Sequence, residues 1–483
     1  MLFNSIKYAL FLPLVAILFW VCPQRFRVPL LLVASYGFYM SWRPIYVLLI
    51  LGLTLFNYFA GLLISSQRNR KKFWMILAVT GNLLVLAYFK YAFFFDESLG
   101  ALLKPAGVNV PAIPFEIVLP LGISFFVFEF IHYVVDVYKG SEPVRSFLGF
   151  SLFASFFPTQ IAGPIKRYQD FVPQFLATAK FSPDCLDEGI SLILFGLFKK
   201  VMIADNLSFF VEGGFSNPNL FTGMDMWIFT YAFAFQIYFD FSGYTDVARG
   251  SAKLFGYKVP LNFNLPYIAS NVADFWRRWH ISLSTWLRDY LFIPLGGSRG
   301  SKWLNYRNLF LTMALGGLWH GAAMHYLLWG AYQGVALILH REFQSVKEKI
   351  GALDSFFASK FGKVFSIIIT FHAVCVGWVL FRADTMESCA AILSKMFFLD
   401  PFYKANSLMA MHLPAINYPL VYPAVYLLLP ILAVSHVVMY YVKERNLLLS
   451  VPRPAKAAFC FVLMFVILTF SPDKSPRFIY FQF

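Results

Sequence analysis

Charge is what this 483-residue chain has least of: 13% of its residues are Asp, Glu, Lys or Arg, about half the share of a soluble protein. That shortage excludes an ordinary water-soluble globule. Acidic residues are scarcer still, 25 against 40 Lys and Arg, for a net charge of +15. The cations sit in short connections between apolar runs, not on one face or in one tail, which excludes a nucleic-acid footprint and fits a positive-inside bias. Five cysteines, Cys22, Cys185, Cys375, Cys389 and Cys460, lie scattered with no CxxC spacing. Neither a disulfide framework nor a zinc site follows, and no other metal-ligand spacing is present. The first apolar run ends in Trp20, Val21 and Cys22 without the small residues of a signal-peptidase site, so it reads as an uncleaved first span. Linkers rich in Pro, Gly or Ser are missing, and residues 1–483 read as a single membrane-embedded domain. No internal period and no matched pair of interrupted spans is visible, which removes the usual sign of an inverted-repeat transporter.

What the chain has is apolar surface: 59% hydrophobic and 20% aromatic residues. Runs near the ~18–20 residues that cross a ~30 Å hydrocarbon core recur from end to end. Candidate spans fall near 5–21, 28–42, 44–64, 73–95, 116–138, 186–212, 226–248, 308–322, 324–340, 363–381, 419–441 and 456–471. The fold class expected is all-α, a polytopic membrane protein of roughly 11–12 transmembrane helices. Segments 146–164 and 283–295 are too short or too broken by Pro158, Pro164 and Pro294 to cross, and suit re-entrant or interfacial elements. Arg25 and Arg27, Arg68 to Lys72, the segment 249–307, Arg341 to Lys349, and Lys443 with Arg445 all fall on one side when alternate loops are assigned to the cytosol. Loops 96–115, 213–225 and 382–418 then lie outside, with both termini.

One histidine stands out at membrane depth. His320, in NLFLTMALGGLWHGAAMHYLLWGAYQGVALILH (308–340), is flanked by Trp319 and Gly321 in an almost wholly apolar run. An ionisable group there costs roughly 2.5–3.5 kcal/mol on insertion scales, and so is a functional candidate by default. Thirteen residues beyond Arg307, at ~1.5 Å each, it lies ~20 Å deep, within reach of both faces. Gly316, Gly317 and Gly321 thin the helix for a close neighbour or an elongated ligand. On its own the residue is equally an interhelical hydrogen bonder or a neutral base ready to accept a proton from a hydroxyl. His325 projects about 140° away on a helix and is no obvious metal partner.

DFWRRWHISLSTWLRDYLF (274–292) has the pattern of an amphipathic helix on a membrane surface. Phe275, Trp276, Trp279, Leu283, Trp286, Leu287, Tyr290 and Leu291 fill one arc of about 160°, with Arg277, Arg278, Ser284, Thr285, Arg288 and Asp289 on the remainder. His280 falls inside the apolar arc, either satisfied in a core or lining a cavity. LFIPLGGSRGSK, which follows, lacks the Lys after Gly300 that a phosphate-binding P-loop needs. Two further polar stripes, Glu129 with His132 and Asp136, and Gln236 with Asp240 and Tyr244, would pair with cations such as Lys199 and Lys200, or line a polar path. The second option belongs to the rival reading, a non-enzymatic exporter or flippase of a polar substrate.

YFDFSGYTDVARGSAKLFGYKVPLNFNLPYIASNVADFWRRWHISLSTWLRDYLFIPLGG (238–297), LGGLWHGAAMHYLLWG (315–330), IAGPIKRYQDFVPQF (161–175) and FIYFQF (478–483) together resemble the membrane-bound O-acyltransferase family. The likeness is to its bacterial branch that O-acetylates alginate, peptidoglycan and cellulose. The resemblance implies an acyltransferase core near 115–345 in the bacterial cytoplasmic (inner) membrane. It also implies transfer of an acetyl group from a cytosolic thioester, acetyl-CoA, toward an extracytoplasmic polysaccharide, with no bound cofactor. His320 becomes the catalytic residue and His280 the second residue tied to activity, with Trp276, Arg277, Arg278, Trp279, Arg288 and Trp319 lining the donor site or tunnel. A secreted SGNH-hydrolase-like acetyltransferase or polysaccharide modification complex is the implied partner. A D-alanyl or lipid acyltransferase of the same superfamily is the alternative within the class.

Overall fold

The computed structural model describes residues 3–106, 117–178, 180–398, 421–444, 451–471, 476 and 478–479. Parts of loops 96–115 and 382–418, Arg445, and Tyr480 to Phe483 of the FIYFQF string lie outside the described residues. Among the described residues the secondary structure is helical throughout. In chain order the α-helices are α1 (Ile6–Val21), α2 (Gln24–Met40), α3 (Tyr46–Ser66), α4 (Lys71–Leu103), α5 (Ile123–Tyr138), α6 (Phe147–Ser155), α7 (Tyr168–Leu176), α8 (Pro183–Leu197), α9 (Asp205–Ser216) and α10 (Gly223–Leu254). There follow α11 (Val272–Arg278), α12 (Ile281–Leu287), α13 (Lys302–His320), α14 (Met324–Lys349), α15 (Gly351–Ala358), α16 (Lys360–Arg382), α17 (Met386–Phe397), α18 (Val421–Glu444) and α19 (Arg453–Phe470).

Stretches Tyr46–Ser66, Arg68–Gly100, Lys360–Arg382 and Val425–Val442 are each long and apolar enough to cross a membrane, and Ile6–Val21 and Pro454–Phe470 are shorter apolar helices. The protein is thus an all-α, multi-pass membrane protein. Two expected spans take a different form. The run 186–212 is interrupted by a π-helical stretch, Phe198–Ala204, which turns the Lys200 ammonium onto Asp205 and Asp240 at 2.6 and 2.7 Å. The span expected at 116–138 starts as helix only at Ile123, after Gly122 at φ 72°, and α5 is buried along most of its length by protein, not lipid.

The chain forms two compact units, one of Met1–Gly196 with Tyr244–Leu261, the other of Leu197–Gly243 with Asn262–Phe483. In the first, α3 and α4 are clasped by a reciprocal amide pair, Asn57 with Asn82, at 3.1 and 2.7 Å. The Tyr133 ring of α5 packs flat onto α3 at Gly61, where a Cβ would lie 2.3 Å from its hydroxyl. The segment expected to be re-entrant is a nine-residue helix, α6, followed by an irregular run of buried residues that includes Phe156, Phe157, Gln160 and Ile161. Non-helical backbone at membrane depth is tolerated where protein covers it. That run ends at Lys166, which forms a buried ion pair with Glu129 at 2.8 Å. Lys199 and Lys200 were the expected partners of the polar stripes. Lys200 does serve Asp240, but Glu129 takes its countercharge from Lys166 instead, because the buried run brings that lysine onto α5.

In the second unit α13 and α14 form a tight hairpin. A Cβ on Gly330 would sit 2.3 Å from the Met313 carbonyl oxygen and 3.0 Å from Gly317 Cα, and one on Gly317 would sit 2.2 Å from the Tyr326 carbonyl oxygen. Backbone cannot yield as a side-chain tip can, so Gly330→Ala is expected to pry the hairpin apart. We expect a lower melting temperature in detergent and loss of activity. Gly52→Ala in α3, where a Cβ meets nothing within 4 Å, is the neutral control.

Candidate functional site

The second unit carries both histidines. α13 starts at Ser301, whose hydroxyl accepts from the Leu304 N–H at 3.3 Å, and ends at His320. The chain then passes through Gly321, where a Cβ would strike the Tyr326 ring at 2.1 Å. Gly317 and Gly321 therefore serve the returning helix α14, while a Cβ on Gly316 would meet the Leu287 side chain of α12 at 3.1 Å. His320 is 4% exposed. Its ring is held edge-on by Trp329 of α14 at 5.0 Å and Phe381 of α16 at 5.3 Å, with Trp319 at 4.9 Å.

The single amphipathic helix expected over 274–292 is instead two helices broken at His280. α11 is capped by Asn271, whose side chain accepts from Asp274 N–H at 2.8 Å. His280 sits in the left-handed region, at φ 43°, ψ 54°, a conformation costing a non-glycine residue on the order of 1–3 kcal/mol. The physical reason is a long-range pairing invisible to local periodicity. Asn264 N–H donates to the Arg278 carbonyl, and Ile281 N–H to the Asn262 carbonyl, each at 2.9 Å. The two bonds hold the strand-like segment around 262–264 against the break. The division into apolar and polar faces survives, with Phe275, Trp276, Trp279, Leu283, Trp286 and Leu287 buried. Protein, not a membrane surface, covers that face: Trp279 meets Phe263 at 5.0 Å and Trp378 at 4.8 Å. After α12 a π-helical turn, Arg288–Phe292, leads out of the segment.

Of the residues expected at the site, His280, Trp276, Trp279, Trp319 and His320 converge. Trp319 neighbours both imidazoles, 6.1 Å from His280 and 4.9 Å from His320. Trp276 reaches Trp329 at 5.9 Å and donates its indole N–H to Gln333 Oε1 at 3.3 Å. The three arginines do not join this cluster. Arg277 is exposed, Arg278 is bound to Asp274 at 3.0 Å, and Arg288 pairs with neighbouring Asp289 with its side chain 61% exposed. Residues missed from sequence complete the walls: Trp378, stacked on Trp329 at 6.0 Å, Phe381, and buried Gln333. In the sequence they are indistinguishable from lipid-facing aromatics or a stray polar residue. Gly377, beside Trp378, is the one local signal, since a Cβ there would lie 2.8 Å from Gln333 Nε2.

Two cavities lie at opposite ends of the α14 and α16 pair. One, of about 430 Å³, is lined by Gln236, His325, Tyr326, Phe381, Arg382 and Ile479 among others. Phe381 lines this cavity and also meets the His320 ring at 5.3 Å. The second, of about 600 Å³, has apolar walls such as Tyr332, Leu339 and Phe365, with His340, Lys347 and Lys363 in its lining. His325, near the first cavity, has its Nδ1 3.2 Å from the Leu380 carbonyl. An imidazole within an aromatic box can accept a proton from a hydroxyl and return it to a leaving group.

The membrane-bound O-acyltransferase family model matches residues 31–381, which include α11 to α14 and the two histidines. A probable alginate O-acetylase, AlgI, of Pseudomonas aeruginosa is 44% identical over 402 residues, 82% of this chain and 75% of that protein. A peptidoglycan O-acetyltransferase of Helicobacter pylori is 37% identical over 399 residues, 77% of this chain and 73% of that protein. A teichoic acid D-alanyltransferase of Bacillus subtilis is 34% identical over 283 residues, 56% of this chain and 70% of that protein. The chain belongs to the membrane-bound O-acyltransferase family and is a membrane-embedded acyltransferase.

Proposed function

We propose that this enzyme passes an acetyl group from cytosolic acetyl-CoA across the bacterial inner membrane for O-acetylation of an extracytoplasmic polysaccharide, with alginate as the acceptor polymer. The observation carrying the reading is that His320 lies in an aromatic box with cavities at both ends of the helix pair that walls it. The basic segments 249–307 and 341–349 favour a cytosolic side for the larger cavity, with Lys347 and Lys363, and an outer side for the smaller one. The thioester enters from the lysine-lined side, with its carbonyl brought to His320. An acceptor hydroxyl arrives past Phe381, gives its proton to the His320 imidazole, and its oxygen attacks the carbonyl carbon. The tetrahedral adduct expels the thiolate, which takes the proton from the imidazolium and leaves as free thiol. His280 holds the donor or the adduct from across Trp319. Trp276 and Trp279 exclude water, and the arginines 277, 278 and 288 meet the nucleotide end at the cytosolic surface. A secreted SGNH-hydrolase-like partner carries the acetyl group on to the polymer.

The acetyl reading is favoured over the D-alanyl one by the longer and closer similarity to the O-acetylating relatives. An exporter is disfavoured because both carboxylates proposed for its path are committed to buried lysines. Proteoliposomes of the purified protein with radiolabelled acetyl-CoA on one side test the proposal. Label should reach the partner enclosed on the opposite side only when acetyl-CoA bathes the face bearing Lys347. Equal transfer from either face, or polymer movement without thioester consumption, refutes it.

A further inference from the structure

His280 is 1% exposed and holds a left-handed backbone, so its surroundings over-determine its position. The group that does so is the Asn262 side chain. Its Oδ1 accepts from the Ser282 backbone N–H at 3.1 Å and from the Ser282 hydroxyl at 2.9 Å, and lies 3.3 Å from His280 Nδ1. A side-chain amide is ambiguous between O and N until a group of fixed character settles it. The Ser282 backbone N–H is such a group: it can only donate, so the atom it faces is the oxygen. The same oxygen faces His280 Nδ1, and a carbonyl oxygen only accepts, so the nitrogen meeting it carries the hydrogen. In the neutral ring the lone pair then sits on Nε2. The strained φ at 280 is what turns the ring toward Asn262 while Ile281 N–H bonds the Asn262 carbonyl.

We propose that Asn262 is a positioning residue that fixes His280 in the Nδ1–H tautomer, so that His280 meets its substrate as a hydrogen-bond acceptor through Nε2. This inference rests on the acyltransfer reading for its consequence: His280 orients an N–H or O–H of the thioester arm or acceptor, and offers no hydrogen to a developing oxyanion. That charge is left to other donors in the box. Around the ring stand Phe241 at 4.7 Å, Phe263 at 6.4 Å and Trp319 at 6.1 Å, surfaces that fix the ring plane without choosing a tautomer. The Asn262 oxygen, 3.3 Å from Nδ1, makes that choice.

The test is carbon–nitrogen correlation NMR on the full-length protein in lipid, labelled at histidine, with the His280 ring assigned by the signals lost in His280→Gln. The expected spectrum has a protonated Nδ1 correlated with Cγ and an unprotonated Nε2 correlated with Cδ2. A hydrogen on Nε2 overturns the proposal, and this reading needs no activity and no Asn262 variant. Asn262→Leu is expected to shift or mix the tautomer and lower turnover roughly tenfold to a hundredfold, by analogy with the hydrogen-bond partners that orient metal-bound histidines. Added to His280→Gln it should cost nothing further, whereas an equal cost in both backgrounds means Asn262 acts on the fold and not through His280. Should His320→Gln keep full activity, the acyltransfer mechanism fails while the tautomer assignment still stands.

Discussion

Replacing His320 by Gln is expected to lower acetyl transfer by about 10² to 10⁴, the contribution of a general base, with little change in the apparent affinity for acetyl-CoA. Gln is chosen over Ala for a physical reason. His320 is enclosed by Trp319, Trp329 and Phe381, and truncation to Ala would leave a void that those rings cannot all fill. Part of any loss would then report collapse of the box, since large-to-small changes in packed cores cost about 2–5 kcal/mol. Gln keeps bulk and polarity but has no site that takes up a proton near neutral pH. A base acts in the transition state and not in donor binding, so turnover and specificity constant should fall together. Transfer assays at saturating and limiting acetyl-CoA, run beside melting curves, separate the two effects. Turnover within a few-fold of the parent, in a variant that melts normally, would show that His320 is not the base.

How far the sequence reaches is clearest at the two histidines. The depth of His320 follows from counting residues beyond Arg307, and the structure leaves it at the tip of α13, within the same apolar run. In the sequence His280 falls inside the apolar arc, between Leu287 and Leu291 at 100° spacing, either satisfied in a core or lining a cavity, and the structure buries it. Its backbone break was not legible, because both halves of 274–292 keep the helical pattern. The partners that force the break, Asn262 and Asn264, lie 18 and 16 residues upstream of His280 in a non-helical segment. Trp378 and Phe381 escaped notice for a different reason: in an apolar span, an aromatic that walls a reactive site and one that faces lipid satisfy the same periodicity. The all-α class follows from the length of the apolar runs, since backbone in hydrocarbon must satisfy its own hydrogen bonds and ~20 consecutive apolar residues match a spanning helix, about twice the length of a barrel strand. Where the helices stop was decided by tertiary pairing, as in the π-helical stretch that delivers Lys200 to two aspartates.

Lys166→Met is expected to be the most damaging single substitution in the first unit. Glu129 receives the Lys166 ammonium at 2.8 and 3.1 Å and the Lys166 backbone N–H at 3.1 Å, with both side chains at most 5% exposed. Removing the ammonium leaves a buried carboxylate with the backbone N–H from that residue alone, a change that costs roughly 3–5 kcal/mol. Glu129→Gln should be milder. The stranded ammonium still lies over the Phe153 and Phe171 rings at 5.4 and 5.5 Å, and such contacts offset roughly 0.5–2 kcal/mol. Combining the two substitutions removes both charges and should recover most of the stability, because the penalty belongs to the unpaired ion and not to the loss of the pair. The measurement is the melting temperature in detergent, ordered Lys166→Met lowest, then Glu129→Gln, with the double variant nearest the parent. Acetyl transfer by the double variant then decides what the α5 stripe is for. Retained transfer identifies Glu129 and Lys166 as a structural clasp, whereas a stable but inactive double variant would return the stripe to the path of a polar substrate.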